Sequence, residues 1–287
     1  MKYYIYLLMI IFAPAFLPGQ SLTKARIERL KHSIGKISID GDPSTGTGFF
    51  INDQGAVVTC WHVVEPAFIK DSTGKFLGVK KINIEMYDGQ KKELQLPVIF
   101  LSNLNLNKDA VLDDFCLLLP APIPFNTKVE YLKLGNFDDI QEGDEVYTCG
   151  YPLGLPYQFI SRGTLSTKYI DSTIIFKRAG MPDEKMKKSV ALLDLTLNKG
   201  NSGGPIIKLG KTPEEDEVVG IADFLINPFG QNAQQLSDEL NKGKMNIILP
   251  SGLSLTDAMK LFSTAIIYSS NGISGCVSIN HFLQALR

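Results

Sequence analysis

The sequence predicts an all-β protein, built as barrels or a sandwich. Three observations predict it. From residue 34 onward apolar residues recur in short runs, many of them alternating with polar ones. Turn signals rich in Gly, Asp and Asn separate those runs. Helical periodicity is confined to short segments near the two ends and to one insert.

The chain opens on "MKYYIYLLMIIFAPAFLPGQS": Lys2, an apolar run to Leu17, then Pro18 and small residues. This is the pattern of a secretory signal peptide, here over residues 1–20, with cleavage expected near Gly19 or Gln20, or at Ala13–Ala15. A membrane span needs about 20 apolar residues, and this run is shorter and contains Pro14. An uncleaved anchor is the alternative. Export to the periplasm or medium is therefore expected, with no membrane span once the leader is removed.

"SLTKARIERLKHS" reads as a helix over residues 21–33, with Ser21 as a cap and Ile27 and Leu30 on one face. "GKISIDG" then alternates as a strand, and "TGTGFFINDQGAVVTCWHVVE" reads as two strands around "NDQG". "KKINIEMYDGQKKELQLPVIF" is a hairpin turning at "YDGQ", and "DFCLLLP" is a short strand. The segment 128–143 is rich in charge and turn residues and marks a boundary between two halves. "DEVYTCGYP", "GTLSTKYI", "STIIFKRAG", "KSVALLDLTL", "EVVGIADFLI" and "SGCVSIN" continue as strands. Residues 226–271 form an insert. In it "SLTDAMKLFSTAII" is helical, with Ser254 as N-cap, Asp257 three positions on, and Leu255, Met259, Phe262 and Ile266 on one face. "INHFLQALR" closes the chain as a helix.

With 44% hydrophobic and 21% charged residues, the composition is that of a globular domain with a buried core. Lys plus Arg total 29 against 30 Asp plus Glu, which argues against nucleic acid as a partner, because that affinity needs a basic surface. Cys60, Cys116, Cys149 and Cys276 each sit in an apolar run, so buried free thiols are expected. Cys60 lies near His62, but no second ligand pair follows in sequence, so no metal and no cofactor is expected.

The chemistry centres on "NKGNSGGPI", residues 198–206, which sets Ser202 among glycines just after an apolar run. Glycines let the chain bend until two N–H groups share one small volume, and those of Gly200 and Ser202 are the candidates. Donors of this kind are worth about 3–4 kcal/mol each to a developing oxyanion. A serine nucleophile also needs a base and a group that orients the base. Of the three histidines, His32 and His281 lie in helical end segments, whereas His62 follows a strand where the chain turns. A buried carboxylate opening an apolar strand would orient it. Asp114 fits best; Asp113, which strand pleating should point the other way, and Asp109 stay open.

The order His…Asp…Ser, with "GTGFFI", "VVTCWHVV", "DFCLLL" and "GNSGGPI", resembles the chymotrypsin-fold serine peptidases, and more closely their HtrA/Deg-like branch. "VYTCGYPLGLPYQFISRGTLS", "VVGIADF" and "GISGCVSINHF" extend the resemblance over residues 34–287. It implies two antiparallel six-stranded β-barrels, residues 34–135 and 136–287, with the site in the cleft between them. It implies Ser202 as nucleophile, His62 as base and Asp114 as its orienting acid, acting through an acyl-enzyme on extended or unfolded polypeptide. It also implies a pocket with Thr196 near its floor, Asp223, Phe224 and Leu225 on one wall and Gly275 on the other, suited to small or medium aliphatic residues.

The chain departs from the pattern in places. Asn201 stands where trypsin-like zymogens carry an aspartate, so activation by propeptide removal is not expected. The chain stops after the closing helix, so no PDZ domain is expected, and the insert 226–271 is longer than the pattern. Two other readings remain: a catalytically idle binding module on the same fold, and a structural β protein with a chance turn at residues 198–206.

Overall fold

The computed structural model describes residues 22–73, 75–95, 114–121, 129–176, 184–225, 238–240, 248, 252, 254–267 and 272–285. The leader at residues 1–20, with Ser21, Asp109, Asp113 and much of the insert, lies outside them. Among the described residues no helix is long and apolar enough to cross a membrane.

Helix α1 (Lys24–His32) leads into strand β1 (Ile34–Ile39), β2 (Thr45–Phe50) and β3 (Val57–Thr59). A one-turn helix α2 (Trp61–Val64) and strands β4 (Phe68–Lys70), β5 (Phe76–Val79), β6 (Ile82–Glu85), β7 (Lys91–Gln95) and β8 (Cys116–Ala121) follow. The second half holds β9 (Lys133–Leu134), β10 (Glu145–Gly150), β11 (Phe159–Phe176), β12 (Glu184–Asp194), β13 (Pro205–Lys208) and β14 (Glu217–Leu225). Helix α3 (Leu255–Ile267), strand β15 (Ile273–Ser278) and helix α4 (Ile279–Ala285) complete it.

Alternation closes both barrels. In β1, Ile34, Ile37 and Ile39 are buried, and the strand pairs antiparallel with β2 on one side and β6 on the other. The ring runs β1-β2-β3-β8-β7-β6. The Asn52 side-chain oxygen accepts from the N–H groups of Gln54 and Ala56, which forms the turn from β2 into β3. The second ring runs β13-β10-β11-β12-β15-β14 and closes through β13–β14 pairing, with β9 added parallel to β14. The protein is thus an all-β pair of closed six-stranded barrels.

Among the described residues, three apolar clusters hold it together. One fills the first barrel around Ile37, Val57, Ile84 and Leu118. A second fills the other barrel around Val146, Leu193, Ile206 and Val219. A third lies in the seam and draws on both barrels and both end helices, through Leu30, Phe49, Val58, Phe115, Ile207, Ile221 and Phe282. Phe115 and Phe282 meet edge to face with ring centroids 5.5 Å apart. Burying each contributes up to about 3 kcal/mol, and the ring geometry about 1 kcal/mol more.

The elements differ from the sequence expectation in three places. Thr23, not Ser21, caps α1: its hydroxyl oxygen accepts from the Arg26 N–H, three residues on. "GTLSTKYI" and "STIIF" are one strand, because Asp171 and Ser172 pair across to Ser189 and Lys188 in β12 instead of turning. The β4–β5 pair was not anticipated. Ser254 caps α3 as expected, accepting from the Asp257 N–H at 3.0 Å. On that helix Leu255 and Met259 are half-buried and Phe262 is exposed.

Candidate active site

Strand β3 ends at Thr59, and extended Cys60 carries the chain into α2, which puts His62 at the mouth of the first barrel. The His62 side chain is 45% exposed, while Asp114 beneath it is buried. Asp114 does not lie on a pleated strand, as the sequence suggested; it precedes β8 in a left-handed turn with φ 52°. Aspartate tolerates that region better than most residues. The turn directs both carboxylate oxygens to one residue. Oδ1 accepts from the His62 N–H at 2.8 Å, and Oδ2 lies 2.5 Å from Nδ1. Burial pushes the Asp114 carboxyl up, but the hydrogen bonds and charge of His62, together with a hydrogen bond to Asp223, outweigh it and hold the group below its ordinary value. An ionised Asp114 makes Nδ1 the proton donor of that pair, so in the neutral imidazole Nε2 is the nitrogen without a proton.

Ser202 sits on two linked turns. The Asn201 N–H donates to the Asn198 carbonyl and the Gly204 N–H to the Asn201 carbonyl, both at 2.9 Å. Gly200 and Gly203 carry positive φ, 100° and 85°. Neither can be replaced without overlap. A Cβ on Gly200 would come 2.4 Å from the Tyr151 carbonyl, and one on Gly203 would come 2.2 Å from Thr59 Oγ1. Among the described residues, the N–H groups of Gly200 and Ser202 donate to no backbone carbonyl outside the regular elements. The Leu153 N–H holds the Lys199 carbonyl at 2.5 Å. In a trans peptide the N–H opposes the carbonyl, so that contact fixes which way the Gly200 N–H faces.

The first barrel grips this loop through fully buried Thr47 of β2. The Thr47 N–H donates to the Ser202 carbonyl at 2.9 Å, and its hydroxyl donates to the Gly200 carbonyl at 2.7 Å. The same hydroxyl accepts from the Tyr151 N–H, and Thr59 Oγ1 donates to the Thr47 carbonyl. Nothing in "TGTGFF" alone assigns Thr47 this role. Its signal was a hydroxyl between two glycines at a position that proves fully buried.

Asp223 makes contacts beyond the sequence expectation. Strand β14 pairs Ala222 with Cys276 and Phe224 with Gly275, so Asp223 is the extra residue of a β-bulge. Its carbonyl accepts from the Ser202 hydroxyl at 3.3 Å, and its carboxyl lies within 4.8 Å of the donor atoms of Cys60, His62 and Asp114. Gly275 is buried between Leu192 and Phe224 at the centre of the sheet, and Thr196 is exposed just past β12. Cys60, His62, Asp114 and Asp223 each offer one donor atom, all within 4.8 Å of one another. The sequence set Cys60 near His62 and expected Asp114 to orient that histidine, but it did not bring in Asp223, which arrives from β14. All four cysteines are free and buried.

The chain is 25% identical over 220 residues to the probable periplasmic serine endoprotease DegP-like of Rickettsia conorii, covering 75% of this chain and 36% of that protein. It is 30% identical over 186 residues to the magnetosome formation protease MamE of Paramagnetospirillum magneticum, covering 64% of this chain and 20% of that protein. It therefore spans about a third or less of these relatives' lengths. The solved HtrA-type protease AlgW with tripeptide shares the fold, with a TM-score of 0.51 and 18% identity over 91% of this chain and 61% of that one. The pattern of the trypsin-like peptidase domain matches residues 46–221, a span that takes in Thr47, His62, Asp114 and Ser202. The chain belongs to the trypsin-like peptidase domain family.

Proposed function

We propose that the protein is an exported serine endopeptidase that cuts extended polypeptide through an acyl-enzyme. The observation that carries this reading is the double contact of Asp114 with His62, which fixes the imidazole, together with the bonding of the Ser202 loop to Thr47 of the same barrel. Nε2 of His62 takes the Ser202 proton as Oγ bonds to the substrate carbonyl carbon. The N–H groups of Gly200 and Ser202 face the oxygen that becomes negative. As the C–N bond breaks, His62 returns that proton to the leaving amine. Water then repeats the sequence on the ester, releasing the acid and restoring Ser202. Asp114 stabilises the imidazolium at both steps.

Export rests on the leader pattern at residues 1–20 and on the periplasmic naming of the Rickettsia relative. Small or medium aliphatic residues before the cut remain the expectation for a pocket bounded by Thr196, Asp223, Phe224, Leu225 and Gly275. A peptide panel that prefers a basic residue there would refute it.

Ser202→Ala should abolish hydrolysis of unfolded protein, with the fold intact by circular dichroism. A fluorophosphonate probe should label the wild type at Ser202 and leave the variant unlabelled. Full activity in pure Ser202→Ala protein would end the proposal. A wild type that is never labelled, with or without unfolded protein, would mark an idle binding module.

A further inference from the structure

We infer that Asp223 and Asp114 share one proton, carried on Asp223 and donated to Asp114, so that Asp223 is a positioning residue for His62. The inference rests on the peptidase reading above and concerns a residue that reading does not use.

Asp223, the extra residue of the bulge in β14, offers a carboxylate oxygen within 4.8 Å of the donor atoms of Cys60, His62 and Asp114. Two carboxylates held this close repel each other strongly, and a proton on one of them removes that repulsion. The protonated group can then donate to the other, whereas two ionised carboxylates have no hydrogen to donate. Asp114 is the ionised member, since His62 offers both of its carboxylate oxygens a donor. The proton therefore resides on Asp223.

A cation fits this cluster less well. Asp114 Oδ2 and His62 Nδ1 are 2.5 Å apart, closer than two ligands on one tetrahedral zinc, which stand roughly 3 Å or more apart. Cys60 Sγ is already engaged, 3.2 Å from the Ala222 carbonyl.

The titratable groups around the pair come from several elements. His62 and Cys60 lie on and just before α2, Cys116 on β8 and Cys276 on β15. The buried Cys276 thiol is pushed up to about 12, first by burial and then by the charge of Asp223, and burial and Asp114 push the Cys116 thiol up as well. These thiols stay neutral over the working range. At low pH both carboxyls take protons. At high pH Asp223 ionises, the hydrogen bond to Asp114 is lost, and activity falls on the alkaline side.

The test has two arms on the full chain. In the first, aspartate carboxyl carbons are labelled with 13C in the Ser202→Ala protein and titrated, with Asp223→Asn identifying the resonance. This arm needs no turnover. The expected result is an Asp223 carboxyl still protonated at neutral pH; titration near the ordinary aspartate value of about 3.9 would overturn the inference. In the second arm, kcat and its pH profile are measured for wild type, Asp223→Ala and Asp223→Asn. Alanine should lower kcat about tenfold with KM unchanged. Asparagine, which keeps a donor, should recover part of that loss and remove the alkaline fall. An unchanged profile in both variants would sink the idea. A shared proton without any hydrolysis would instead retire the peptidase reading and leave the pair standing.

Discussion

Gly203 follows Ser202 with φ at 85°, where a side chain costs about 1–2 kcal/mol before any contact is counted. Its missing Cβ is also the space occupied by Thr59 Oγ1, 2.2 Å away, and by the Thr47 carbonyl, 2.3 Å away. Gly203→Ala should therefore lower stability by at least about 2 kcal/mol in urea unfolding and displace Ser202 enough to slow probe labelling. Labelling at the wild-type rate would show that the loop has more room than these contacts allow. At this scale the sequence was partly legible. The glycine run around Ser202 marked a bend, because only glycine enters positive φ freely. The aim of Asp114 was not legible, since it comes from a left-handed turn before β8 and not from strand pleating.

Helix α1 docks on the second barrel through charge as well as through Leu30. Arg26 Nε donates to both carboxylate oxygens of Asp216, at 2.8 and 3.1 Å, and a terminal nitrogen donates to the Gly210 carbonyl at 2.6 Å. Both side chains are nearly inaccessible, at 4% and 2%. Arg29 adds a hydrogen bond to the Pro213 carbonyl. Arg26→Ala would strand a buried carboxylate and should cost about 3–5 kcal/mol, read as a lower urea midpoint. The double replacement Arg26→Met with Asp216→Leu should restore most of that stability, because it removes both charges together. Failure of the double variant to recover would assign the loss to packing. The periodicity of "KARIERLKH" announced the helix, but nothing local announced that Arg26 would be on its buried side, with a partner 190 residues away.

Across the whole molecule, the site depends on how the two barrels are held in register. His62 and Asp114 come from the first barrel and Ser202 and Asp223 from the second, and Thr47 bonds directly to the Ser202 loop across the seam. Thr47→Val keeps the shape but removes the hydroxyl that serves the Gly200 carbonyl and the Tyr151 N–H. It should cost about 1–3 kcal/mol of stability and lower kcat by up to about 100-fold, with circular dichroism unchanged. An unaltered kcat would mean that the seam packing alone sets the register. The sequence by itself determined the all-β character, most of the turns and the order of His62, Asp114 and Ser202, because alternation and turn chemistry are properties of neighbouring residues. Only the tertiary structure decided that Asp223 joins the cluster of Cys60, His62 and Asp114 and that Thr47 clamps the Ser202 loop. Those contacts depend on a bulge and on strand pairings between residues far apart in the chain, and pairing of that kind leaves no periodic trace in sequence.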